Sequence, residues 1–240
     1  MWLIAEYRPV ALFSLKSSLA TSTGAKTLLV PTPFAVRTAL LDAAIRTRGL
    51  TSGEAVFAWL KSLDIALLPP ERVVVTNLFV KVQKPSRDGS RAMQKTIAFR
   101  EYAYLEGALG LAFEGEPDPL DELEGLLRQV NYLGKRGSFF QLHRLPTRRE
   151  SLPDGYCPLD GAYLSGGRIN GRGPKSFSLG VVQILDDWGP GLTFEKVNVY
   201  TKAHIVLGKD RVQKIIVLPY RPVRSSRGFT LYERIAGTPG

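Results

Sequence analysis

The segment Asn131-Tyr-Leu-Gly-Lys-Arg-Gly-Ser138 places two cations, Lys135 and Arg136, between two glycines, Gly134 and Gly137. An aromatic ring flanks the pair on each side, at Tyr132 and Phe139. Glycine lets a backbone come close to a ligand, Lys and Arg meet phosphate oxygens, and aromatic rings stack on bases. The cluster is therefore a candidate nucleic-acid contact, with Asn131 and Ser138 as its polar ends. A plainer reading is a helix C-cap glycine followed by a turn with exposed cations; it explains Gly134 but not the whole cluster. Arg37 is a second candidate. It falls in the first turn of a helix starting at Pro33, where guanidinium and helix N-terminus could address one anion together. An ordinary surface salt bridge accounts for Arg37 as readily.

Other chemistries find less support. A metal or acid–base site needs several His, Cys or carboxylates converging, and the only histidines are His143 and His204, in no ligand spacing. No metal and no cofactor are expected. Asp186-Asp187 would face opposite sides on a strand, and before Trp188-Gly-Pro190 the pair reads as shaping a turn. Gly171-Arg-Gly-Pro-Lys-Ser176 resembles a phosphate loop only superficially, because no strong strand precedes it and Pro174 interrupts it. The single cysteine, Cys157, can form no intramolecular disulfide, and with no signal-like or membrane-length apolar run the chain is expected to be cytoplasmic.

Charge agrees with an anionic partner. The formal net charge is +10, and 240 residues suffice for a core that buries roughly 70% of the unfolded surface. Residues 1–130 carry 15 basic and 14 acidic side chains, whereas residues 131–240 carry 17 and 8. The second half should face the anion.

The elements that must position these residues follow from periodicity. Trp2–Leu15 alternates as a strand bent at Pro9, with Leu3, Ala5 and Tyr7 on one side. Thr32-Pro33 supplies an N-cap and a first-turn proline, so Pro33–Arg46 is expected to be helical, burying Phe34, Leu41 and Ile45. Thr51 and Glu54 read as a capping box opening a second, shorter helix. Pro69-Pro70 ends that unit. Arg72–Val82 reads as the second strand, and Phe79–Phe99 as a long basic hairpin projecting from the body, its tip at Asp88-Gly89. Asp118-Pro119 starts a helix that buries Leu120, Leu123, Leu126, Leu127 and Val130, followed by a strand over Phe139–Leu145. The order is βαββαβ, an α+β arrangement with an arm between its second and third strands.

Residues 146–240 are richer in Gly and Pro connections and carry strand-like runs at Phe177–Leu185, Leu192–Val199, Ala203–Leu207 and Val212–Leu218. We read a domain over 1–145 and a β-rich C-terminal extension over 146–240.

The run from Leu29 to Leu40, the basic arm, and Asn131-Tyr-Leu-Gly-Lys-Arg-Gly-Ser-Phe-Phe140 together resemble the RAMP proteins of CRISPR systems, and among them the Cas-five family of type I Cascade subunits. The resemblance covers about residues 1–145. It implies a ferredoxin-like, RRM-type core with the hairpin as a thumb. It further implies a ribonucleoprotein role in antiviral defence: holding the 5′ handle of the CRISPR RNA (crRNA), capping the Cas-seven backbone next to the large subunit, and meeting target DNA through the complex, with no membrane partner. Carried onto this chain, the 131–138 loop with Lys135, Arg136, Gly137 and Ser138 would clasp the handle. Arg37 would add a contact, and Lys84, Arg87, Arg91 and Lys95 would hold the RNA along the thumb. One branch of the family cleaves precursor RNA without metal. Tyr132, Lys135 and His143 are the groups that could serve here, but no arranged His–Lys pair is visible, and a binding protein rather than an enzyme is expected. A metal-independent endoribonuclease and an unrelated RRM-like RNA-binding protein are the alternatives.

Overall fold

The computed structural model describes residues 1–20, 24–86, 93–159 and 180–235. In chain order its elements are β1 (Trp2–Pro9), β2 (Gly24–Ala25), α1 (Pro33–Arg48), α2 (Leu50–Leu60), β3 (Asp64–Leu68), β4 (Arg72–Pro85), β5 (Met93–Glu106) and β6 (Leu109–Glu114). There follow α3 (Pro117–Leu127), β7 (Phe140–Arg149), β8 (Cys157–Pro158), β9 (Val181–Trp188), α4 (Phe194–Val197), β10 (Arg211–Leu218), β11 (Tyr220–Ser225) and β12 (Phe229–Arg234).

The first sheet runs β7-β1-β6-β3-β8, with every neighbouring pair antiparallel. Its first four strands, taken in chain order, stand as 4-1-3-2, the order of a βαββαβ ferredoxin-like unit. The alternation in β1 works as expected. Leu3, Ala5 and Tyr7 enter the main core under the helices, and the Tyr7 hydroxyl donates to the Leu127 carbonyl at 2.7 Å. Trp2 and Ile4 pack on the other face with Ala66, Ala112, Leu152 and Tyr156. Burial pushes the phenol of Tyr7 upward, so it stays a hydrogen-bond donor.

The second strand of this core is β3, not Arg72–Val82. Ile65-Ala-Leu-Leu68 is a short apolar run directly after a helix, and such a run carries no period of its own. Arg72–Pro85 instead starts a second sheet, β11-β12-β4-β5-β2. The chain crosses from the first sheet to the second at Pro69-Pro70 and returns at Gly107, whose φ of 94° suits glycine; a Cβ there would lie 3.2 Å from the Glu71 nitrogen. The arm is the outer part of this second sheet. Phe79 does pair with Phe99, their rings 5.5 Å apart, and beyond Leu78 the ribbon is largely exposed. The tip at Asp88-Gly89 lies outside the described residues.

Thr32 caps α1 through the Ala35 nitrogen at 3.1 Å. Along this helix Leu41 is buried but Phe34 and Ile45 only half-buried, since α1 is packed by α2, α3 and β9 rather than on one stripe. The expected capping box does not form: α2 starts from Gly49, with no side-chain cap. The third helix begins two residues before Pro119, with Pro117 in its first turn, and buries the expected leucines.

The described residues after 145 are stitched into the body. β12 pairs with β4, β8 with β3, and Leu185, Trp188, Leu192, Ile216, Leu218 and Tyr220 join the main core. The run 192–199 contains the short helix α4, and 203–207 is irregular, because Asp210 draws in the Val206 nitrogen at 2.9 Å and turns the chain there. The strand expected over 177–185 lies partly outside the described residues; β9 begins at Val181 and runs on to Trp188. Among the described residues no helix is long and apolar enough to cross a membrane.

Candidate nucleic-acid interface

After α3 the chain forms a tight knuckle. Tyr132 and Phe139 face each other in an antiparallel bridge, the Phe140 nitrogen donates to the Asn131 carbonyl at 3.0 Å, and the Ser138 nitrogen donates to the Lys135 carbonyl at 3.0 Å. Gly134 (φ 79°) and Gly137 (φ 99°) hold left-handed backbone that makes the knuckle possible. Lys135, Arg136, Gly137 and Phe139 are exposed at its rim.

A Cβ on residue 134 would stand 2.8 Å from Leu15 Cδ1, whereas one on residue 137 meets nothing within 4 Å. Each Gly→Ala change is therefore expected to cost about 1–2 kcal/mol for backbone strain, with Gly134→Ala the more damaging because Leu15 must also move. Urea denaturation of the two variants checks the order; the reverse order would contradict this packing.

The knuckle borders a cavity of about 440 Å³, within the size range of small-ligand sites. Its floor is the start of α1, at Thr32, Phe34 and Ala35, and its walls come from Ser14–Lys16, Arg100, Tyr132, Gly134, Lys135 and Arg211. The charged groups on the lining are Lys16, Arg100, Lys135 and Arg211, and no carboxylate is among them. The Arg211 guanidinium lies 4.6 Å from the Phe34 ring centroid and is tied to Asp186 at 2.6 Å, while its Nε is buried with no partner. Lys135 Nζ lies 5.8 Å from the Tyr102 ring centroid. A low-dielectric cleft with one sign of charge focuses its field on an incoming anion.

Several expected site residues come together here and others do not. Tyr132, Gly134 and Lys135 line the cleft; Asn131, Arg136, Gly137 and Phe139 are exposed around it. Ser138 is 2% exposed, and its hydroxyl accepts from the Ser14 nitrogen at 3.2 Å, so it fastens the knuckle to the strand-exit loop. Arg37 is likewise internal. It is 6% exposed, its Nε donates to Asp187 at 2.9 Å, one Nη donates to the Leu63 carbonyl at 2.8 Å and the other to the Leu60 carbonyl. The helix turns this residue toward the core, away from the cleft, where its donors are taken up by Asp187, Leu60 and Leu63. Its partner Asp187 also receives Lys214 at 2.9 Å, and Asp186-Asp187 thus stands inside β9 rather than in a turn.

On the arm, Lys84 lies opposite Gln94 and Lys95 opposite Gln83, on opposite faces of the ribbon. Arg87 and Arg91 lie outside the described residues. His143 is half-buried on β7 and does not line the cleft. Burial and the Asp42 carboxylate raise the Tyr132 phenol, with Arg136 opposing them, so it is protonated at neutral pH. Burial likewise pushes the Cys157 thiol up to about 11, which removes its nucleophilic form at neutral pH. Spacing points to neither Lys16 nor Arg211, and to Arg100 only as a cation of the basic arm: the three come from distant segments, and only the fold brings them together.

No protein-family model matches the chain. The curated CRISPR-associated protein Cas5 of Archaeoglobus fulgidus is 30% identical over 129 residues, which cover 52% of this chain and 56% of the relative. The chain thus spans about half the length of the curated relative it matches. Among solved structures, a CRISPR protein from Archaeoglobus fulgidus aligns over 98% of this chain and 92% of its own at 13% identity and a TM-score of 0.41. A chain of a CRISPR RNA-guided surveillance complex aligns over 90% of each at 15% identity and a TM-score of 0.46. Over the stretch they share, the chain is similar to CRISPR-associated protein Cas5, the family that its 29–40 and 131–140 motifs resemble.

Proposed function

We propose that this protein is the crRNA-binding subunit of a type I Cascade complex. It holds the 5′ handle at the cleft between α1 and the glycine knuckle, and caps the Cas7 backbone next to the large subunit in defence against foreign DNA. The observation that carries this reading is the cleft's lining: four cations from four segments, no carboxylate, and an aromatic ring at Tyr132. Single-stranded RNA supplies the matching chemistry, phosphates for the cations and unstacked bases for the rings. Lys84 and Lys95 on the arm extend the same field.

The role is binding without catalysis. A metal-free ribonuclease needs a base near the 2′-hydroxyl; Tyr132 holds its proton at neutral pH and His143 faces elsewhere. RNA cleavage by the isolated protein in EDTA, lost on His143→Ala or Tyr132→Phe, would overturn that part.

Co-expression with the neighbouring genes and a CRISPR array, followed by affinity capture and RNA sequencing, tests the whole. The expected outcome is a multi-subunit complex with crRNAs sharing one 5′ handle. Capture of transfer or ribosomal RNA alone would leave only an RRM-like RNA-binding protein.

A further inference from the structure

The second sheet has two unlike faces. Its inner face carries Val73, Val75, Ala103 and Leu105, all in the main core. The register sets Val74 opposite Tyr104 and Leu231, and Thr76 opposite Tyr102 and Phe229, so these rings share the outer face. Tyr104 is 54% exposed and Leu78 44%, while Tyr102, Phe229 and Leu231 are half-buried. Tyr104 and Leu78 leave this face open to solvent.

Its rings come with cations. Arg224 lies 5.8 Å from the Phe229 ring centroid, Lys135 stands over Tyr102 at the same distance, and Arg100 follows Tyr102 on the same face of β5. The carboxylates on the face, Glu106 and Glu233, stand at the far end with their own arginines, Arg72 at 2.7 Å and Arg221 at 3.7 Å. Arg100 and Lys135 also line the cleft, so the rings and the cleft form one continuous surface. A protein-binding patch has a charge-depleted apolar centre. This face interleaves rings with cations instead.

We propose that the outer face of the second sheet is a stacking platform for single-stranded nucleic acid leaving the cleft, with bases on Tyr104 and Phe229 and the backbone along Arg224. The proposal rests on the RNA-binding reading above. It assigns residues of the C-terminal strands, which the glycine knuckle and the arm do not include, to the same polyanion.

The test uses the full chain and two labelled oligouridylates, one short enough to fill only the cleft and one long enough to cross the sheet. Tyr104→Ala combined with Arg224→Ser is expected to weaken the long ligand about tenfold to a hundredfold and leave the short one nearly unchanged. Tyr104→Phe, which keeps the ring, should bind as the parent does. If the double variant binds the long ligand normally while Lys135→Glu weakens it, the platform is refuted and the RNA-binding reading stands. If the parent chain binds neither ligand, both fall. Loss of a protein subunit from the assembled complex, with RNA affinity unchanged, would also overturn the platform by making this face a protein interface.

Discussion

Arg37→Ala is expected to destabilise the protein by about 3–5 kcal/mol, because it breaks a buried ion pair by deleting one partner. For a chain of this size that lowers Tm by about 6–20 °C. Asp187 loses one of its donors, and the carbonyls of Leu60 and Leu63 lose theirs, all around a side chain only 7% exposed. Lys214 keeps its contact with Asp187 at 2.9 Å but approaches from a more open side and does not replace the donor to the Leu60 and Leu63 carbonyls. Arg37→Met with Asp187→Leu should recover part of the loss, since a well-packed apolar pair can replace a buried ion pair. Recovery stays incomplete because the two carbonyls remain unpaired. Urea denaturation with RNA binding measured on the folded protein separates the readings: a cost below about 1 kcal/mol, as for a surface pair, together with lost RNA affinity would restore Arg37 as a ligand contact.

The reason that Arg37 was expected at the surface shows where sequence stops. Its position in the first turn of a Pro-started helix is correct, and Thr32 does cap that helix. What the local pattern lacks is β9, which arrives from 150 residues away and places Asp187 against it. The same applies to Asp186-Asp187, read as a turn because Gly189-Pro190 follows, although β9 ends only at Trp188. Local signals with a strong period held: the alternation of β1, the leucine stripe of α3, and the Phe79–Phe99 pairing of the arm. Signals lacking a period, such as β3 and the C-terminal hairpin β11–β12, needed their partners to be recognised. The Gly134 and Gly137 turn was visible because left-handed backbone strongly selects for glycine. Lys16 and Arg211 were not, since a lysine or arginine selects for nothing local.

The C-terminal strands also change what the arm is. Tyr220 donates to the Pro70 carbonyl at 2.6 Å and Arg234 to that of Pro69 at 2.7 Å, while β12 lies along β4 from Arg72 to Thr76. The crossover that launches the arm is therefore clamped on both sides by residues 220–234. An isolated two-stranded ribbon is marginal in water; here β11 and β12 extend the sheet at its base, which fixes the faces on which Lys84 and Lys95 project.

Reversing two cleft cations, Lys16→Glu with Lys135→Glu, is expected to reduce affinity for single-stranded RNA about a hundredfold or more at physiological salt. Two charge-assisted phosphate contacts, at about 1.5–3 kcal/mol each, supply that loss even before like-charge repulsion is added. The salt dependence carries a second signature: the slope of log affinity against log salt should flatten by about 1.4, since each neutralised phosphate of a single strand contributes about 0.7. The fold should tolerate both changes, because Lys135 is exposed and its Tyr102 contact is worth about 0.5–1 kcal/mol at such a site. Net charge alone would make the same prediction for any two lysines. Lys202→Glu with Lys209→Glu, in the loop after α4 and not on the cleft lining, changes the total by the same amount and is the control. Equal losses for the two pairs would reduce the cleft to a general basic surface; a large loss confined to Lys16 and Lys135 places the RNA between α1 and the glycine knuckle.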